Sequence, residues 1–140
     1  MIFADTSALY AALVADDVNH PRARTAEALL RERREQIWTI DPVLTELWLL
    51  LCRDLTGDFC DVLVRGLMDH GVRREPLIGD DYRRAWEIGR DWADQRFSLT
   101  DRQAFAAIER SGQPRAWSYD TDFAVMRLGS DRSQALELVR

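Results

Sequence analysis

The sequence predicts an α/β fold in which a central parallel sheet is covered by helices on both faces. Three observations lead there. Short apolar runs bounded by turn residues alternate with longer segments of helical period. No Pro/Ser-rich linker divides the chain, and no internal repeat or low-complexity stretch interrupts the alternation. At 140 residues, with 46% apolar and 31% charged side chains, the chain has the balance of one globular domain spanning 1–140 with a continuous core.

The elements follow in order. Ile2-Phe3-Ala4 reads as a short buried strand and Ser7 to Val14 as the helix after it. Asn19, His20 and Pro21 mark a helix start, with an apolar stripe of Ala23, Ala26, Leu29 and Leu30. Ile37 to Ile40 is a second strand, and Asp41-Pro42 opens a helix through Val43, Leu47, Leu50 and Leu51. Thr56-Gly57-Asp58 breaks the chain before a helix from Phe59 to Asp69, stopped by Gly71. Val72 to Ile78 is strand-like, and Asp80 is expected to cap a helix carrying Tyr82, Ala85, Trp86 and Trp92. Thr100 with Gln103 predicts a capping box for the helix through Phe105, Ala106 and Ile108, closed by Gly112. Ala116 to Tyr119 is a strand, Asp120 starts a short helix, and Ala135 to Val139 is a last strand.

Composition excludes several chemistries. All nineteen basic residues are arginine. The absence of lysine rules out P-loop phosphate binding, Schiff-base catalysis and receiver-type phosphotransfer. The net charge of -5 argues against a nucleic-acid partner, unless clustered acids hold cations and so invert the local field. Cys52 and Cys60 lack a paired motif or a nearby histidine, and read as small buried apolar residues. Met1 to Asp5 shows no basic stretch ahead of an apolar one, and no apolar run reaches bilayer length, so a cytoplasmic location is expected.

Ligands of an open parallel sheet gather at the carboxyl ends of its strands. Four acids fall at that edge. Asp5 ends the first strand and Asp120 the strand Ala116 to Tyr119; Asp101 opens one helix and Glu46 lies in the first turns of another. Glu46 shares its helical face with Val43, Leu47 and Leu50, and Asp101 shares its own with Phe105 and Ile108. A carboxylate on a core-facing stripe must be paired, protonated or metal-bound. Taken singly, Asp5, Asp101 and Asp120 serve equally well as helix caps or N-terminal charges. Taken together they do not. Each pair brought to about 4 Å repels by about 4 kcal/mol at an effective dielectric of 20, which a fold of about 5–15 kcal/mol stability does not carry without a cation. All-oxygen donors favour Mg2+ or Mn2+ over zinc.

Four segments then resemble, in order and spacing, the motifs of PIN domains, above all the VapC-type toxins of bacterial toxin–antitoxin pairs. Phe3-Ala4-Asp5-Thr6-Ser7-Ala8-Leu9 is similar to the opening motif and Thr45-Glu46-Leu47 to the second. Phe97-Ser98-Leu99-Thr100-Asp101 with Phe105-Ala106 resembles the third, and Ala116-Trp117-Ser118-Tyr119-Asp120-Thr121-Asp122-Phe123 the fourth. The resemblance implies a PIN-like three-layer sandwich and a Mg2+-dependent endoribonuclease (Mn2+ serving as well). It also implies a homodimer and a cognate antitoxin protein that blocks the site. Asp5 and Asp101 are the expected direct metal ligands, with Glu46 and Asp120 completing the set and Asp122 an alternative to Asp120. Thr6 and Ser7 are expected to hold a carboxylate in place. One departure is Arg102, where a small residue often follows the third acid.

Arg96 and Arg102 flank the third acid and are candidates for RNA-backbone contact, although a solvated arginine explains either. Trp48, Trp86, Trp92 and Trp117 fit core or dimer packing better than base stacking. His20 and His70 fall near helix ends, away from the acids. Two rival readings remain at this level. A phosphatase of the haloacid-dehalogenase kind needs an aspartate where Ser7 stands, and a lysine. A catalytically silent scaffold that binds RNA or a protein partner would carry the same fold.

Overall fold

The computed structural model describes residues 1–140. The strands are β1 (Ile2–Ala4), β2 (Ile37–Ile40), β3 (Arg73–Glu75), β4 (Arg115–Trp117), β5 (Arg127–Leu128), β6 (Gln134–Ala135) and β7 (Glu137–Val139). The helices are α1 (Thr6–Leu13), α2 (His20–Glu32), α3 (Asp41–Leu51), α4 (Gly57–Asp69), α5 (Gly79–Asp91), α6 (Leu99–Ser111) and α7 (Thr121–Val125). Five strands form one parallel sheet in the order β3-β2-β1-β4-β7, with helices on both faces. The three-layer α/β expectation is met.

Burial of both faces explains the strand sequences. Ile2, Phe3 and Ala4 are wholly buried, as are all four residues of β2, so neither strand alternates polar and apolar residues. The core is one cluster in which Phe123 of α7 stacks on Phe3, 6.2 Å between ring centroids, and meets Phe105 of α6 edge-on at 4.9 Å. The aromatic residues of the third and fourth motifs thus lock α6 and α7 onto β1.

Strand order sets the position of the site. From β1 the chain winds outward through β2 to β3, then returns to place β4 on the other side of β1. The carboxyl ends of β1 and β4 therefore flank the point where winding reverses, which is where such sheets form their crevice. Asp5 follows β1, and Asp120 lies three residues past β4.

Several local expectations are corrected. The strand expected over Val72 to Ile78 is confined to Arg73–Glu75, because Pro76 has no N–H to continue the ladder. The expected last strand is divided. Gln134–Ala135 pairs antiparallel with Arg127–Leu128, and only Glu137–Val139 joins the main sheet. Asp80 does not cap α5: it is exposed inside the helix, and the buried Asp81 accepts from the Ile78 amide at 2.9 Å. Nor do Thr100 and Gln103 form the capping box of α6. Ser98 is the cap, its Oγ accepting from the Asp101 amide at 3.1 Å, while Asp101 Oδ2 accepts from the Ser98 amide at 3.0 Å. The box falls two residues earlier because Leu99 and Thr100 already belong to the helix.

Candidate active site

Asp5 anchors the site. It leaves β1 in an extended conformation, caps α1, and is only 4% exposed. Its Oδ2 accepts from the Ser7 amide (3.2 Å), the Ser7 hydroxyl (2.7 Å) and the Ser118 hydroxyl (3.0 Å). Burial pushes the Asp5 carboxyl above the usual carboxylate range, against the opposing pull of these donors. All three of these bonds fall on one oxygen.

The same hydroxyls reach the fourth motif. Ser118 Oγ accepts from the Asp120 amide at 3.0 Å, and Ser7 Oγ accepts from the Tyr119 amide at 2.9 Å. Asp120 caps α7 through Oδ1, which accepts from the Asp122 amide at 2.9 Å. Asp122, in the first turn of α7, has its carboxyl raised by burial and then by the charge of Asp120. On the opposite side Thr6 donates to Glu46 Oε2 at 2.9 Å, tying the second turn of α3 to the start of α1.

Asp101 completes the group from α6 and is 8% exposed. Its carboxyl is pushed up to about 7, first by burial and then by the negative charges of Asp5 and Asp120, while the Ser98 bonds hold it down. The electrostatic influence of both acids on Asp101 ties three of the motifs together, and the Thr6 bond brings in the fourth. As with Asp5, both side-chain bonds of Asp101 fall on Oδ2.

No three of these carboxylates stand close enough to one point to hold an ion. Each has instead taken a neighbouring donor: serine for Asp5 and Asp101, threonine for Glu46, a backbone amide for Asp120. The donor chemistry suits Mg2+ or Mn2+, being carboxylate oxygen throughout, with no arginine paired to any of the four.

Ser118 and Ser98 take parts that the motif pattern alone does not announce. Ser118 is wholly buried and joins Asp5 to the Asp120 loop. The signal lay in the register: Ala4 faces Trp117, so the next residues along, Asp5 and Ser118, stand side by side. Arg102 is committed elsewhere, its Nε donating to the Phe97 carbonyl at 2.9 Å with the guanidinium lying against Gly89. Arg96 remains exposed. Of the tryptophans, Trp117 is core, while Trp86 is 62% exposed and belongs to no core. His20 and His70 engage the Ala11 and Gly66 carbonyls.

This crevice, with Asp5 directly after β1 and Asp120 three residues past β4, belongs to a known class. The chain is a member of the PIN domain family, whose model matches residues 2–128. Among curated proteins it is 30% identical over 124 residues to the 23S rRNA-specific endonuclease VapC20 of Mycobacterium tuberculosis, covering 89% of this chain and 92% of that one. The crystal structure of VapC20, described as a sarcin–ricin loop cleaving toxin, superposes with a TM-score of 0.78 at 27% identity, over 89% of this chain and 94% of that one. FitAcB from Neisseria gonorrhoeae shares the fold, with a TM-score of 0.60 at 18% identity over 86% and 88% of the two chains.

Proposed function

We propose that this protein is a Mg2+-dependent endoribonuclease of the VapC toxin type, hydrolysing RNA phosphodiester bonds. The observation that carries the reading is the hydroxyl bridging at the β1–β4 reversal, where Ser118 donates to Asp5 and accepts from the Asp120 amide while Thr6 donates to Glu46. A cation held between the acids would offset their repulsion, and similarity to a 23S rRNA-specific endonuclease supports RNA as the substrate.

A bound Mg2+ or Mn2+ would neutralise phosphate charge and lower the pKa of a water for in-line attack on phosphorus. The chain's own residues do the positioning. Asp5 and Asp101 would be the direct ligands of the cation, with Ser7 and Ser118 holding the Asp5 carboxyl and Ser98 that of Asp101. Glu46, steadied by Thr6, and Asp120 complete the acidic set. Asp122 stands by as an alternative to Asp120. Arg96 is the freer of the two arginines beside the third acid for contact with the RNA backbone.

The partners follow from the same reading: an antitoxin protein that covers the acids, and a second copy of this chain. Leu49, Tyr82 and Trp86 leave an exposed apolar face on α3 and α5 beside Glu46, which suits a dimer contact. No helix is long and apolar enough to cross a membrane, and the proposed site of action is the cytoplasm.

The test is incubation of purified protein with total cellular RNA and mapping of the cut ends. Cleavage that needs Mg2+ or Mn2+, leaves 5′-phosphates and disappears in Asp5→Ala is the expected result. Equal cutting by the variant would mark a contaminant and leave a scaffold without turnover.

A further inference from the structure

On the Asp120 side of the crevice lies a hollow of about 360 Å3 whose walls include Arg22 and Thr25 of α2, Val139 of β7, and Arg140. No acidic side chain lines it. Both arginines are exposed. Arg83, Arg84 and Arg115 are held by carboxylates; Arg22 and Arg140 meet none. Two guanidinium groups with no carboxylate side chain between them gather positive charge in one concavity of a protein with net charge -5.

Two contacts join the hollow to the fourth motif. Arg22 Cζ stands 5.5 Å from the centroid of the Tyr119 ring, and Arg140 Nη2 lies 3.4 Å from the Asp120 carbonyl oxygen. Tyr119 is in turn fixed through its amide to Ser7, which also bonds Asp5. A guanidinium laid on an aromatic face is held in plane, with its fork free for a phosphate. We propose that Arg22 and Arg140 form a phosphate subsite, gripping the RNA backbone next to the bond that is cut. This rests on the ribonuclease reading of the four acids and adds the direction in which the strand leaves them, across Tyr119 toward α2 and β7.

The probe is a fluorescein-labelled single-stranded RNA, titrated by anisotropy in EDTA over a range of KCl concentrations. The proteins compared are the wild type, the double variant R22Q/R140Q, the charge-keeping R22K/R140K, and R33Q/R34Q, which removes two exposed arginines at the other end of α2. Each phosphate contact contributes about 0.7 to the salt slope on single strands. R22Q/R140Q is therefore expected to lower the slope by about 1.4 and weaken binding roughly 10-fold, with KM raised and kcat held in the cleavage assay. R22K/R140K should keep the slope and R33Q/R34Q should match the wild type. The affected side chains are exposed and hold no carboxylate, so melting temperatures should agree.

An unchanged slope in R22Q/R140Q, an equal loss in R33Q/R34Q, or no salt-dependent RNA binding at all would overturn the inference. Preference for a poly-glutamate peptide over RNA, lost in R22Q/R140Q, would give the hollow to an acidic protein partner and overturn it too. Failure of the underlying reading shows separately: Asp101→Asn would then cut RNA like the wild type, whatever the slopes.

Discussion

Asp101→Asn removes a charge that the metal-free fold carries at a cost, and its effect can be worked out from the site. The carboxyl is raised from 3.8 to about 7. At 1.36 kcal/mol per unit, this corresponds to about 4 kcal/mol of destabilisation once the group is ionised in both states. The sign follows from linkage: the folded state binds the proton more tightly, so the stabilisation is full below the unfolded value and is lost as pH rises through 7. Asparagine keeps a carbonyl oxygen for the Ser98 amide, so the cap loses at most about 1 kcal/mol. In EDTA at pH 8 the variant should be more stable than the wild type by about 2–3 kcal/mol, or roughly 10 °C in melting temperature. Near pH 5, where the wild-type carboxyl is protonated in the fold, the gap should shrink to about 1 kcal/mol or less. Thermal melts of both proteins across that pH range provide the assay. A variant that melts below the wild type at pH 8 would show that Asp101 acts as a structural cap, and would refute the claim that repulsion and burial dominate there.

Three further outcomes are expected. Ser118→Ala takes one donor from Asp5 and one acceptor from the Asp120 amide; RNA cleavage should fall about 10–100-fold while circular dichroism keeps its native form. Phe123→Ala opens the core between Phe3 and Phe105 and should cost about 3–5 kcal/mol by urea unfolding. Gly89→Ala places a Cβ against the Arg102 guanidinium, the far end of a flexible side chain that must swing aside; because alanine is favoured over glycine in a helix by about 1 kcal/mol, urea unfolding should show a net change below about 1 kcal/mol, and Arg102→Ala in the same chain should bring out the gain.

The acids were legible because each stands where local chemistry is read from sequence: at a strand end or in a first helical turn, within an apolar run. Glu46 among Val43, Leu47 and Leu50 is such a case. Ser118 was harder, since a serine in a strand has no period of its own and its role appears only when β1 and β4 are set side by side. The β5–β6 pair escaped because two-residue strands carry no alternation to detect. Arg102 looked free for RNA because the space that engages it comes from Gly89, thirteen positions earlier on another helix. Cys52 and Cys60 were read as small packing residues. Their Sγ atoms lie 2.8 Å apart, a proximity created by the α3–α4 turn and invisible in their spacing.

A Mn2+ titration by calorimetry, in buffers of differing ionisation enthalpy at pH 7, asks most directly whether the carboxylates share one cation. The account predicts a saturable event in the wild type that releases protons, because Asp101, raised to about 7, must ionise to bind. Both Asp5→Asn and Asp101→Asn should abolish or greatly weaken it. Equal Mn2+ affinity in the wild type and both variants, or uptake without proton release, would contradict it.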